Sequence, residues 1–120
     1  MKDSKTLSKQ LANFEGSEIE KIDFNFRENT IDILLKTIEN GRVKKFRLLF
    51  REVLRYKQDQ DFADKPWEVI SVAEIFHIPE DREWLKNITD EEKKLYNYLI
   101  EGDSFELFIK ANKFDIEQVL

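Results

Sequence analysis

Carboxylates are the main candidates for catalytic or ligand-binding side chains in this chain, because it has 25 Asp and Glu residues, one histidine and no cysteine. Any catalytic triad or two-histidine metal site would need His77 at its centre. His77 stands between Phe76 and Ile78, a setting typical of a structural histidine. The lack of cysteine excludes thiolate nucleophiles, disulfides and thiolate zinc sites. The residue types therefore leave carboxylate chemistry and binding.

Two groups of acidic residues are candidates for carboxylate catalysis or for calcium binding. A glycosidase needs one of its two carboxyl groups in an apolar setting, whereas Asp23 and Asp32 fall on the polar sides of their predicted strands. Asp59, Asp61 and Asp64 have spacings similar to those of a calcium loop, but the positions that need Gly and Glu hold other residues. The three glycines are isolated, so no phosphate-binding loop can form. The sequence therefore predicts no enzyme activity, no catalytic residue, no metal and no cofactor.

The dipeptide Asn40-Gly41 organises the middle of the chain, because alternating apolar side chains flank it on both sides. Asn-Gly accepts the positive φ angles of a type I′ turn, so residues 30–38 and 42–50 are predicted to form an antiparallel hairpin. Alternation over residues 22–26 predicts a strand before it. Arg51-Glu52 interrupts the alternation and predicts a bulge, after which the strand continues to Tyr56.

The remaining elements are short and surround one polar loop. Apolar residues at helical spacing predict a helix at residues 4–14, which Gly16 ends. The later predicted elements are, in chain order, a loop (57–66), a strand (67–75), a short helix after Pro79, a turn with the capping-box spacing Thr89 to Glu92, a hairpin (95–111) that turns at Gly102-Asp103, and an extended segment with Phe114 and Ile116.

These elements predict an α+β fold that is mainly β. The expected architecture is an antiparallel meander of about six strands or a partly open barrel, with an N-terminal helix and a short helix between strands four and five. A single domain over residues 1–120 is divided into a helix (1–16), a three-stranded unit (18–56), a loop (57–66) and a strand, short helix and hairpin (67–117). The predicted core is Phe24, Phe26, Ile33, Leu35, Phe46, Leu48, Leu107 and Ile109.

The two halves of the chain differ in net charge. Residues 1–60 carry a net charge of +3 and residues 61–120 carry −8. The acidic half would repel phosphates and suits a basic partner. The basic run Lys44–Arg55 could form a nucleic-acid stripe, or it could be a solvated sheet face paired with Asp23, Glu28 and Asp32. No signal peptide or membrane span is evident, so a cytoplasmic protein is expected.

Two hairpins carry a resemblance to a known class of proteins. They are Ile31–Phe50 and Leu95–Ala111, the second with Leu95-Tyr96-Asn97-Tyr98, Glu101-Gly102-Asp103 and Phe105-Glu106-Leu107. Over residues 18–117 the chain resembles small bacterial immunity proteins encoded beside polymorphic toxins. The resemblance implies a protein that binds one cognate toxin domain tightly and blocks its active site, without catalysis of its own.

Acidic loops around two tryptophans are the predicted contact surface for such a partner, since aromatic anchors inside a polar rim are common in tight interfaces. The predicted partner-binding residues are Asp59, Asp61, Asp64, Trp67, Glu80, Asp81, Glu83 and Trp84. A place for both tryptophans in the core is the alternative for those two residues. A nucleic-acid-binding or regulatory domain that uses Lys44–Arg55 is the alternative function, and an enzyme that works through carboxylates alone is a third.

Overall fold

The computed structural model describes residues 10–11, 13–60, 69–74, 89–102 and 105–120, and most of them lie in one antiparallel sheet. Its elements are β1 (Glu18–Asn25), β2 (Thr30–Glu39), β3 (Arg42–Gln60), β4 (Val69–Glu74), α1 (Asp90–Leu95), β5 (Tyr98–Gly102) and β6 (Phe105–Gln118). The predicted mainly antiparallel β fold is confirmed.

The strand order in the sheet is β1-β2-β3-β6-β5-β4. Two three-stranded meanders, β1-β2-β3 and β4-β5-β6, are thus joined side by side through β3 and β6. The predicted simple meander was wrong in this respect. The physical reason is the length of the two strands. β3 and β6 pair from Phe46↔Gln118 to Gln60↔Phe105, so they bury more main chain together than β3 could bury with β4.

The central hairpin forms as its turn residues predict. Asn40 and Gly41 have φ angles of 53° and 75°, which are the positive values of a type I′ turn. The register runs from Glu39↔Arg42 at the turn to Ile31↔Phe50 at the far end. The turn therefore decides which side chains of β2 and β3 face the core.

A bulge lies in the middle of β3, where the sequence predicts it. Glu52 has a φ angle of 52°, and the register with β6 shifts between Val53 and Arg55. The strand then continues to Gln60, so the predicted loop 57–66 was wrong over residues 57–60. Their polar side chains suggested a loop, but β6 supplies a main-chain partner for each of them.

The N-terminal region closes one end of the curled sheet. Gln10 and Leu11 are helical, and residues 13–16 form turns with three-residue hydrogen bonds such as Phe14 N to Leu11 O at 3.1 Å. The predicted helix (4–14) therefore ends earlier than residue 14, and its residues 4–9 and 12 lie outside the described part. Gly16 N donates to Val69 O and Val69 N donates to Ser17 O, both at 2.8 Å. These bonds join the start of β1 to the start of β4.

Helix α1 confirms the predicted capping box. The Thr89 hydroxyl accepts from Glu92 N at 3.1 Å, and the Glu92 carboxylate accepts from Thr89 N at 3.3 Å. The helix runs to Leu95, so the strand predicted from residue 95 begins later, at Tyr98. The helix after Pro79 lies outside the described residues. No helix in the described ranges is long and apolar enough to cross a membrane.

The second hairpin, β5-β6, forms with a different role for its glycine. Gly102 lies within β5 and has no positive φ angle, so the predicted glycine-first turn was wrong. A Cβ atom at Gly102 would lie 1.9 Å from the Phe105 ring. The glycine is required because this ring covers it. The extended segment predicted around Phe114 is continuous with β6.

The main core fills the concave side of the sheet. Phe50, Tyr98 and Phe114 meet at its centre, with ring centroids 4.6–5.1 Å apart. Three predicted core residues of the central hairpin and two of β6 are fully buried: Ile33, Leu35, Leu48, Leu107 and Ile109. Phe50, which was not predicted in the core, is also fully buried. Phe24 and Phe46 are partly buried against this core. Phe26 was predicted in the core and is 73% exposed.

Phe26 is exposed because β1 ends at Asn25, one residue before the end of the predicted strand (22–26). The Asn25 side-chain carbonyl accepts hydrogen bonds from Arg27 N and Glu28 N, both at 3.1 Å. Such an Asx turn replaces strand pairing with local hydrogen bonds. The chain therefore leaves the sheet at Asn25, and Phe26 projects from a turn.

A smaller apolar cluster lies on the convex side of the sheet. Leu99 and Phe108 are each 2% exposed and pair with each other across β5 and β6. The Tyr96 ring, just after α1, lies 5.5 Å from the Phe108 ring. Asn97 holds this turn against β6 through two hydrogen bonds to the main chain of Ala111, at 2.8 and 3.1 Å.

Truncation of the concave core tests this fold. We expect Leu48→Ala and Leu107→Ala each to lower the free energy of unfolding by about 2–5 kcal/mol, because both side chains are fully buried. Ile38→Ala is the control, since Ile38 is 68% exposed, and should change it by less than about 1 kcal/mol. Urea denaturation measures all three. Equal, small losses for the three variants would contradict the assignment of the core.

Candidate partner-binding surfaces

Asp59 is the one predicted partner-binding residue that falls within the described ranges. Its side chain is 66% exposed near the end of β3, in a strand and not in the predicted loop. The other seven, Asp61, Asp64, Trp67, Glu80, Asp81, Glu83 and Trp84, lie outside the described residues. The surroundings of Asp59 are therefore the place to examine the predicted acidic surface.

Three carboxylates form a row across adjacent strands on the convex face. Asp59 of β3 pairs in register with Glu106 of β6, and Glu106 pairs with Glu101 of β5. We call these three residues the carboxylate row. Like charges directly opposite each other destabilise a sheet. Glu101 and Glu106 were not predicted from the sequence, because they come beside Asp59 only through the pairing of β6 with β3 and with β5.

Glu101 is the most perturbed member of the carboxylate row. Burial, and then the neighbouring charge of Glu106, raise its pKa to about 7. Its Oε2 atom is buried without a hydrogen-bond partner among the described residues. Burial is also the main cause that raises the pKa of Glu106, followed by the charges of Asp59 and Glu92. The row therefore holds two carboxyl groups whose ionised form is disfavoured, and one acceptor, Glu101 Oε2, without a donor among the described residues.

Lys57 is the cation that lies closest to the carboxylate row in the described part of the chain. Its Nζ atom lies 3.4 Å from Glu92 Oε1 and 3.8 Å from Asp59 Oδ2. The hydrogen bond to Glu92 is the main cause that raises the pKa of Lys57. The same Nζ lies 5.7 Å from the centre of the Phe108 ring. One cation thus stands among four carboxylates, so the patch stays negative.

The basic run Lys44–Arg55 differs from a nucleic-acid stripe, which requires cations that are available to contact phosphates. Four of its five cations form ion pairs with carboxylates of β1, β2 and β6: Lys44 with Glu39 at 2.8 Å, Lys45 with Glu20 at 3.1 Å, Arg47 with Asp32 at 2.7 Å, and Arg51 with Asp115. The predicted pairing with Asp32 is confirmed, and the hydrogen bond to Asp32 raises the pKa of Arg47. Asp23 instead pairs with Lys21 at 3.3 Å.

An exposed aromatic patch, which was not predicted from the sequence, lies beside the bulge of β3. Phe26, Leu54 and Tyr56 are 73%, 64% and 39% exposed. The Tyr56 ring lies 4.9 Å from the Phe24 ring and 6.3 Å from the Phe26 ring. These four residues, which we call the aromatic patch, line a groove of about 340 Å³. Exposed apolar clusters of this kind mark interaction sites.

The carboxylate row predicts an unusual dependence of stability on pH. An unfolded Glu has a pKa of about 4.3, whereas that of Glu101 is about 7 in the fold. Between these values the folded protein binds more protons, so its stability should fall as the pH rises and level off above 7. Glu101→Gln removes this titration and should reduce the fall, as urea denaturation from pH 5 to 8 would measure.

Glu117→Gln provides the control for that measurement, because Glu117 is 63% exposed on β6. Its stability should follow the wild-type dependence on pH. Carboxyl NMR of the wild type should show Glu101 titrating near 7. Parallel pH profiles for wild type and Glu101→Gln would contradict the buried, proton-binding state of Glu101.

Comparisons with known proteins give one result. Neither the curated proteins nor the solved structures contain a match to this chain. A family model described as YxiG-like protein matches residues 7–119. This span includes β1 to β6, the carboxylate row and the aromatic patch. The chain therefore belongs to the YxiG-like protein family.

Proposed function

We propose that this protein is a cytoplasmic, non-catalytic immunity protein that binds a basic bacterial toxin domain through the carboxylate row. The observation that carries the proposal is the register of Asp59, Glu106 and Glu101 on three adjacent strands. A sheet gains nothing from three acidic side chains placed directly opposite one another. A cationic partner would turn this unfavourable arrangement into a favourable one.

The environment of Glu101 supports a cationic partner. Its buried Oε2 can accept a hydrogen bond that no described residue donates. An arginine of the partner could donate to two carboxylate oxygens at once, which is the strongest geometry for such contacts. Binding would lower the pKa of Glu101 again, because a nearby positive charge favours the ionised form.

Family and charge also support the proposal. The association of the YxiG-like family with polymorphic toxin systems is consistent with an immunity role. The acidic balance of residues 61–120 would attract a basic toxin domain over a distance and raise its association rate. Asp61, Asp64, Trp67, Glu80, Asp81, Glu83 and Trp84 remain predicted members of the same surface.

The alternative, nucleic-acid binding through Lys44–Arg55, receives less support. Four cations of this run already have carboxylate partners. Phosphates would have to displace these partners and would gain less counterion release than at a free basic stripe. A gel shift at physiological salt, with a labelled duplex and a labelled single strand, tests this alternative directly.

The proposal predicts that reversal of the row slows toxin binding. We expect Asp59→Lys/Glu106→Lys to reduce the association rate about tenfold at low salt, because steering by complementary charge acts on association more than on dissociation. The difference should shrink at high salt, where charges are screened. Stopped-flow kinetics with the toxin domain encoded by the adjacent gene measures both effects.

Asp23→Lys is the control for this double variant, since Asp23 is a comparably exposed carboxylate on β1. It should leave the association rate nearly unchanged. Unchanged kinetics for Asp59→Lys/Glu106→Lys would exclude the carboxylate row as the contact surface. A wild-type protein that neither binds the toxin domain nor protects cells that express it would exclude the immunity function itself.

A further inference from the structure

The turn between β1 and β2 carries an exposed aromatic ring and two opposite charges. Phe26, Arg27 and Glu28 follow one another in this turn, and all three are exposed. The Asn25 side-chain carbonyl holds the turn by accepting hydrogen bonds from the main-chain nitrogens of Arg27 and Glu28. The side chains of these three residues therefore project from a main chain whose shape is fixed by local hydrogen bonds.

Neither charge of this turn has a partner in the described part of the chain. Among the described residues, no carboxylate lies within 4 Å of the Arg27 guanidinium and no cation lies within 4 Å of the Glu28 carboxylate. Glu28 is thus not one of the carboxylates that pair with the basic run Lys44–Arg55. Adjacent opposite charges are self-complementary, because a two-fold axis beside the turn brings Arg27 of each copy towards Glu28 of the other.

The aromatic patch beside this turn is apolar, concave and open to solvent. Phe26 belongs to both, since it is the first residue of the turn and the most exposed member of the patch. Apart from Arg55, the residues that line the groove of the patch are uncharged. Arg55 pairs in register with Lys110, which places the Arg55 side chain on the convex face of the sheet. Two copies of the patch can therefore pack together without bringing like charges into the contact.

We propose that the aromatic patch and this turn form a two-fold dimer interface between two copies of this chain. The exposed apolar side chains Phe26, Leu54 and Tyr56 of one copy pack against those of the other. Arg27 of each copy pairs with Glu28 of the other. An isologous contact uses the same surface on both copies, so one patch of this kind is sufficient for a closed dimer.

The size of the patch indicates a weak, reversible dimer that leaves the other candidate surface free. Specific, stable interfaces bury about 800 Å² on each partner, and four side chains with one turn provide a smaller area. The exposed ion pairs should decide the orientation of the dimer more than its affinity. The carboxylate row lies on the convex face, whereas Tyr56 pairs with Ile109 of the concave side. The dimer therefore presents the carboxylate row twice and does not depend on the toxin.

Sedimentation equilibrium over a wide range of protein concentrations tests the proposal on the protein alone. The apparent mass of the wild type should rise with concentration from 14.5 kDa towards twice that value. Phe26→Asp and Leu54→Asp should each weaken association about tenfold or more, because each places two carboxylates in the apolar contact. Ile38→Asp is the matched control, since Ile38 is 68% exposed at the far hairpin and Phe26 is 73% exposed. It should dimerise like the wild type.

An exchange of charges tests the two-fold arrangement itself. Arg27→Glu and Glu28→Arg should each weaken the dimer about tenfold, because each brings like charges together at two places in the contact. The double variant Arg27→Glu/Glu28→Arg should dimerise like the wild type, since both ion pairs form again with their signs exchanged. The hydrogen bonds of the turn come from main-chain nitrogens, so these variants should keep the fold, as circular dichroism would establish.

Three outcomes would overturn the proposal. The first is a wild-type protein that stays monomeric up to the limit of its solubility. The second is a dimer that Phe26→Asp and Leu54→Asp leave unchanged, since the contact would then lie elsewhere on the surface. The third is a double variant that dimerises as weakly as Arg27→Glu and Glu28→Arg do alone, which would exclude the two-fold pairing. None of these measurements uses the toxin, so a failed toxin assay leaves the proposal intact.

Discussion

The pairing of β3 with β6 is the constraint on which the rest of the structure depends. It is the longest ladder in the sheet and joins two meanders that would otherwise be separate three-stranded sheets. A flat ladder of this length could not enclose a core. The positive φ angle of Glu52 and the register shift after Val53 bend β3. The bend lets Phe50, Tyr98 and Phe114, from three different strands, meet in one core.

Both candidate surfaces contain side chains from the half of β3 that lies beyond the bulge. Side chains alternate across a strand, so Tyr56 and Gln58 pair with Ile109 and Leu107 of the concave side. Lys57 and Asp59 pair with Phe108 and Glu106 of the convex side. One short segment therefore supplies Tyr56 to the aromatic patch and Asp59 to the carboxylate row, on opposite faces of the sheet.

Local chemistry made part of this fold predictable from the sequence. Asn40-Gly41 and the capping box at Thr89 each act over a few residues, and both formed as predicted. Strand order depends on contacts between distant segments, so the β3–β6 pairing could not be inferred from alternation alone. Because of the same pairing, residues 57–60 form part of a strand, although their polar composition is typical of a loop.

The candidate site was predictable only where charge alone identified it. Asp59 was found as part of an acidic segment, but Glu101 and Glu106 looked like ordinary solvated residues until the register placed them beside it. Phe26 was assigned to the core because it continued the alternation of β1, and the Asn25 turn moved it to the surface. A one-residue shift of register would exchange the two faces of β3. The bulge at Glu52 therefore determines which side chains each surface presents, although it lies in neither.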